Sequence, residues 1–129
     1  MTQINLAIAG ATGWTGSAIV DGALAAPDIS LEAAIARSSA GQDLGTALGR
    51  EPLGVPVHGD VAGALGGIDV LVEFTSHEHA KAIALAAIGH GVAVVVGSSG
   101  LTAADYADID AAAREAGVGV VASGLVDLA

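Results

Sequence analysis

The sequence contains no cysteine. That excludes disulfides, thiolate metal ligands and a thiol nucleophile. Aromatic residues make up only 2%, one each of Trp, Tyr and Phe, so small aliphatic side chains have to fill the interior. Cations are scarce as well: four Lys and Arg stand against 14 Asp and Glu, a formal net charge of −10. A nucleic-acid surface needs clustered Lys and Arg, and an anionic membrane surface needs a polybasic patch, so neither partner is expected. No apolar run reaches the ~18 residues of a membrane span. The start Met1-Thr2-Gln3 lacks a basic stretch and the apolar run behind it is short. We therefore expect no signal peptide and a cytoplasmic location. Any phosphate-bearing ligand must be held by local donors against this acidic field.

What is present is apolar and glycine-rich: 53% hydrophobic residues and 19 glycines in 129 residues. A chain of this length fits one domain and buries about two-thirds of its unfolded surface. Its low charge density and high apolar content argue against disorder. Short β-rich runs alternate with helical ones. The pattern predicts strands at 4–9, 31–36, 55–58, 69–74, 92–96 and 118–122, and helices at 13–25, 61–65, 75–90 and 102–116. The Gly-rich stretch 38–53 reads as irregular, with a short turn of helix near Thr46. Thr75 with Glu78, and Thr102 with Asp105, have the spacing of capping boxes. Pro27-Asp28 stops the first helix and Gly117 the last. Strands this continuously apolar indicate a parallel sheet buried on both faces, joined by right-handed crossovers. The expected fold class is α/β, a doubly wound parallel sheet of about six strands in the order 3-2-1-4-5-6. The domain is expected to span 1–124, with 125–129 as a short tail.

The chemistry is concentrated in Gly10-Ala11-Thr12-Gly13-Trp14-Thr15-Gly16, which follows the first strand and opens the first helix. Of its glycines, the first permits a tight turn, the second lets backbone N–H groups approach a pyrophosphate, and the third lets helix pack on strand. Free N–H groups and the helix dipole make an anion site. The strand–loop–helix context points to a Rossmann-type dinucleotide site; the bland reading is a Gly-rich turn of structural use only. At the end of the second strand, a site for NAD usually has an acid for the ribose hydroxyls. Here Ala36-Arg37-Ser38-Ser39 offers a guanidinium beside hydroxyls, and Glu32 lies too far back. That favours the 2′-phosphate of NADPH, with NADH as the lesser ligand; the bland reading of Arg37 is a solvated residue at a strand end. Phe74-Thr75-Ser76 and Gly97-Ser98-Ser99-Gly100 end the fourth and fifth strands and should face the nicotinamide half. Gly97 would admit a ring closely, and Ser98 and Ser99 would bond the carboxamide or ribose or else merely terminate the strand.

Four stretches carry a family resemblance: 7–16, Ala33-Ala34-Ile35-Ala36-Arg37-Ser38, Asp69-Val70-Leu71-Val72-Glu73-Phe74-Thr75, and Val95-Val96-Gly97-Ser98-Ser99-Gly100-Leu101. In order and spacing, over nearly 4–124, they resemble the N-terminal segment of the 4-hydroxy-tetrahydrodipicolinate (dihydrodipicolinate) reductases. The resemblance implies NAD(P)H-dependent reduction in lysine biosynthesis through diaminopimelate. It places Gly10, Ala11, Thr12, Gly13, Trp14 and Thr15 at the pyrophosphate, Arg37 at the adenosine phosphate, and Gly97, Ser98 and Ser99 at the nicotinamide, with Ser123 and Gly124 nearby.

The sequence departs from the family in several places. Ala36 replaces the usual acid before the Arg, Trp14-Thr15 replaces Arg-Met, and Ser76-His77-Glu78 lacks the usual Pro. The family's Asn-Phe-Ser segment, His-His pair, Lys and Ser-Gly-Thr stretch, which belong to its substrate and tetramerisation domain, have no counterpart in these residues. The tail Leu125-Val126-Asp127-Leu128-Ala129 faintly resembles the family's extreme C-terminus, as an excised domain or a plain truncation would leave it. The expectation is a chain that binds cofactor, turns over poorly or not at all alone, and is a monomer or weak homodimer. The alternative is a stand-alone nucleotide-binding or interaction module without catalysis. An acyl-phosphate or semialdehyde reductase would need the absent Cys.

No metal ligand set is expected, because His77 and His79 stand at i,i+2 and do not share a helical face; a solvent-facing rim is expected for both. Lys81 reads as a surface residue. Tyr106 is followed four residues later by Asp110, not Lys, so the Tyr-Lys pair of short-chain dehydrogenases is absent. Asp105, Asp108 and Asp110 read as a solvated helix face.

Overall fold

The computed structural model describes residues 3–123 and 126–127. Gly124 and most of the tail lie outside the described residues. In chain order the elements are β1 (Ile4–Ala9), α1 (Trp14–Ala25), β2 (Ile29–Ile35), α2 (Leu44–Ala47), β3 (Val57–His58), a 3₁₀ turn (Ala62–Ala64), β4 (Val70–Glu73), α3 (His77–Gly89), β5 (Ala93–Val96), β6 (Leu101–Thr102), α4 (Ala103–Ala116), β7 (Val120–Ala122) and β8 (Val126–Asp127). Six strands form one sheet in the order β3-β2-β1-β4-β5-β7, every pair parallel. This is the doubly wound order expected, with β7 as the sixth strand. The sequence reading had no counterpart for β6 and β8, which pair in parallel as a separate two-stranded sheet. Two-residue strands carry no periodicity to read.

Alternation along the strands divides the core between the two faces. Leu6, Ile8, Ala34 and Val57 pack with Val20 and Ala23 of α1 and with Leu44 of α2. Ala7, Ala9, Leu71, Val94 and Val96 pack on the other face with Ala80, Ala84, Ala87 and Ile88 of α3 and Ile109 and Ala113 of α4. Ala80, Ala84 and Ala87 of α3 are fully buried, so the helix lies close to the sheet without needing an aromatic. One expectation fails at the edge. Val121 of β7 is 62% exposed, because an edge strand is flanked on one side only and its apolar pattern does not guarantee two covered faces.

Of the two expected capping boxes, one forms. The Thr102 hydroxyl accepts from the Asp105 N–H at 3.1 Å, and the Asp105 carboxylate accepts from the Thr102 N–H at 2.9 Å. At α3 the N-cap is Ser76, without a side-chain cap. The Thr75 hydroxyl, expected to cap that helix, donates instead to the Glu73 carboxylate at 2.7 Å. Helix α3 begins at His77, so Ser76 and not Thr75 occupies the cap position, and Thr75 stands one residue too early to reach the helix N–H groups.

The stretch 38–53 is irregular but organised around one carboxylate. Asp43 accepts from the backbone N–H of Thr46, Leu53, Gly54 and Val55, at 3.1, 3.0, 2.7 and 3.2 Å. The Leu53 bond, then those of Thr46, Gly54 and Val55, hold the Asp43 carboxyl below its ordinary range against the opposing effect of burial. Among the described residues no helix is long and apolar enough to cross a membrane.

Candidate functional site

The Gly loop joins β1 to α1 and is fixed by backbone contact. Gly10 adopts φ +83°, and a Cβ there would lie 2.2 Å from the Phe74 carbonyl oxygen. Only glycine meets both demands. The Gly13 N–H donates to the Gly10 carbonyl at 3.0 Å, closing the turn, and Gly13 is the N-cap of α1. This helix start has no side-chain cap and no acid in its first turn. Among the described residues, neither a capping side chain nor an acid of the first turn engages its free N–H groups.

Two joined clefts lie at the carboxyl ends of the strands, where open α/β sheets bind ligands. The first has a volume of about 600 Å³. Gly10, Thr12, Gly13, Arg37, Ser38, Phe74 and Thr75 line it. The second, about 460 Å³, is lined by Gly13, Trp14, Thr15, Gly97, Ser98 and Ser99. Gly13, Phe74, Thr75 and Ser76 belong to both clefts. Each volume is in the range of small-molecule sites. Twelve of the fourteen residues singled out from the sequence thus meet along one continuous groove.

The other two do not line it. Ala11 is fully buried with Val20 and Leu6 in the cluster beneath α1; its side chain serves the core, because the tight turn at Gly10 directs it inward. Ser123 follows β7, donating its N–H to the Val96 carbonyl at 2.8 Å; it is exposed beside the end of β5. A further difference concerns Gly97. The ring expected over it is already supplied by the protein: a Cβ on Gly97 would lie 2.2 Å from the Phe74 ring.

The four cations are not equivalent. Arg50 pairs with Asp21, Lys81 with Asp105 and Asp108, and Arg114 with Asp110. Among the described residues Arg37 makes no ion pair, and it is exposed on the wall of the first cleft. Glu32 is bonded to the Ser30 hydroxyl at 2.9 Å, outside both clefts.

Several lining residues had no role in the sequence reading. Gly59, Asp60 and Val61, between β3 and the 3₁₀ turn, and Ala82 and Ile83 of α3 complete the first cleft. The chain between β3 and β4 is too irregular to place without a structure. His77 and His79 stand in different clefts, His77 in the second and His79 in the first, where a simple solvent rim was expected. The acids of α4 are not a bare solvated face either. Lys81 reaches across from α3 to Asp108 at 2.6 Å and Asp105 at 3.5 Å, and its bond to Asp108 raises its own pKa.

Glu73, the last residue of β4, is fully buried. Its Oε2 accepts from the Thr75 N–H at 2.7 Å, the Thr75 hydroxyl at 2.7 Å and the Ser98 hydroxyl at 2.6 Å. Its Oε1 accepts from the Ser98 N–H at 3.2 Å. Its signal in the sequence is an acid inside an otherwise apolar strand, within the stretch 69–75. Tyr106 of α4 lies within the field of this carboxylate. Burial first, then the charges of Glu73 and Asp105, push its phenol pKa up.

Residues 4–124 match the family model described as dihydrodipicolinate reductase, N-terminus. The chain belongs to this family. It is 44% identical over 112 residues to the 4-hydroxy-tetrahydrodipicolinate reductase of Anaeromyxobacter sp. (strain Fw109-5), covering 86% of this chain and 42% of that protein. The chain thus spans less than half the length of the curated relatives it matches. Two solved structures share the fold. A dihydrodipicolinate reductase from Paenisporosarcina sp. TG-14, bound to dipicolinate, superposes with a TM-score of 0.80 at 21% identity, over 95% of this chain and 47% of that one. GenD2 from gentamicin A biosynthesis, in complex with NAD, gives 0.77 at 23% identity, over 95% and 35%. The family reading from the four sequence stretches and the expected fold class both hold.

Proposed function

We propose that this chain is the cofactor-holding part of a 4-hydroxy-tetrahydrodipicolinate reductase of lysine biosynthesis, and that it takes NADPH in preference to NADH. The carrying observation is Arg37. It is exposed on the wall of the first cleft and has no carboxylate partner among the described residues, while the other three cations are paired. A guanidinium left unpaired in a chain of charge −10, beside Ser38, suits a phosphate better than a ribose diol.

In this reading the N–H groups from Gly10 to Thr15 and the start of α1 hold the pyrophosphate. Arg37 and Ser38 hold the 2′-phosphate, and Thr75, Ser98 and Ser99 the nicotinamide side, with Ser123 at its edge. When bound, the cofactor supplies a hydride; the protein supplies position and shelter. Hydride transfer also needs an oriented acceptor, and the groups that would clamp a cyclic diacid are not among these residues. We therefore propose that the 129 residues bind cofactor as a monomer or weak dimer and do not reduce the substrate alone.

Trp14, 94% exposed in the second cleft, reports the test directly. NADPH should quench its fluorescence at lower concentration than NADH. Absence of any effect of either nucleotide, together with no heat of binding by calorimetry, overturns the reading. Turnover of the cyclic diacid by this chain alone overturns the inactivity.

A further inference from the structure

Two hydroxyls of the second cleft, those of Thr75 and Ser98, stand on different strand ends, yet both bond the same buried oxygen, Oε2 of Glu73. A carboxylate has no hydrogen to give, and a hydroxyl has one. Each hydroxyl therefore turns its hydrogen inward, at 2.7 and 2.6 Å from Glu73. What each can offer the cleft is lone pairs. The two backbone N–H groups beside them are committed in the same way, Thr75 to Oε2 and Ser98 to Oε1.

We infer that Glu73 is a positioning residue that fixes Thr75 and Ser98 as hydrogen-bond acceptors, so that the second cleft selects a ligand group rich in N–H donors. This rests on the nicotinamide reading above and deepens it. The amide N–H₂ of a nicotinamide carboxamide is such a group; the methyl ketone of a 3-acetylpyridine ring is not. The selection is set by a side chain that lies behind the hydroxyls and does not itself line the cleft.

The experiment compares NADP⁺ with its 3-acetylpyridine analogue, which differs only in a methyl group for the amide nitrogen. Trp14 fluorescence and calorimetry read both affinities. The wild-type chain should prefer the carboxamide by about tenfold, as one or two hydrogen bonds imply. Glu73→Met keeps the length of the side chain and removes the oxygen that both hydroxyls share, so neither hydroxyl is held with its hydrogen inward. The preference should fall to about twofold or less while both ligands still bind. Glu73→Asp keeps an acceptor-only group and should keep most of the preference even where both affinities drop. A purely structural role would weaken both ligands together and leave their ratio unchanged in Glu73→Met, which overturns the inference.

Thr75→Val, an exposed position, covers the case in which Glu73→Met fails to fold. It should lower the preference, and an unchanged ratio there also overturns the inference. If NADP⁺ binds but the wild type does not discriminate, the inference falls and the cofactor reading stands. If NADP⁺ does not bind at all, both fall.

Discussion

The carbonyl oxygen of Gly10 stands 1.9 Å from the point a Cβ on Gly16 would occupy, so the first glycine of the loop leaves no room for a side chain at the third. Gly16→Ala has to push α1 away from β1. We expect it to cost about 1–3 kcal/mol of stability or more. Nucleotide binding should weaken as the loop opens. Denaturant titration checks this, with the midpoint lowered and the slope unchanged.

Arg37→Gln removes the cation of the first cleft, which has no ion pair among the described residues. NADPH affinity should drop by about 10- to 100-fold, the range of a lost charge-assisted hydrogen bond. NADH affinity should change by less than about threefold. The ratio of the two dissociation constants, followed through Trp14, is the measurement. Added salt should weaken NADPH more than NADH in the wild type and reduce that difference in the variant.

Asp43→Asn tests the loop between β2 and β3. The carboxylate gathers four backbone N–H groups, and these bonds hold its pKa down. A depressed carboxyl contributes stability that is present above the unfolded pKa, about 4. The contribution is lost as pH falls through the folded value. The wild-type melting temperature should therefore decline on acidification below about pH 4. The Asn variant should melt lower at neutral pH and lose less on acidification.

Tyr106→Phe should be neutral or stabilising by about 0–1 kcal/mol. Its hydroxyl is buried without a hydrogen-bond partner among the described residues. Burial, Glu73 and Asp105 all raise its pKa. The folded state thus holds the phenol proton longer than the unfolded state. Stability should fall as pH rises above the unfolded tyrosine value of about 10. The Phe variant should lack that part of the alkaline decline in a pH series of melts.

Most of the groove was legible because its parts are local. A glycine array between a strand and a helix, and hydroxyls at strand ends, are patterns of short range, and parallel strands bring their carboxyl ends to one edge. Glu73 is visible as an acid in the stretch 69–75, but its burial is not. An acid in an apolar strand signals either a surface turn or a buried network, and periodicity does not distinguish them. Gly59, Asp60 and Val61 were not legible at all, because nothing in an irregular connection says which wall it will form.

The sequence by itself determined the parallel, doubly wound sheet, the family and the place of the glycine loop between β1 and α1. Continuous apolar strands and small helix faces leave few other ways to bury this chain. The tertiary structure alone decided which polar atoms are already committed. It bonded the Thr75 hydroxyl to Glu73, paired three cations while leaving Arg37 without an ion pair among the described residues, and laid Phe74 over Gly97. The reason is distance. Hydrogen bonds and ion pairs act over a few ångströms, and Glu73 and Ser98 come within 2.6 Å of each other only once β4 and β5 are side by side.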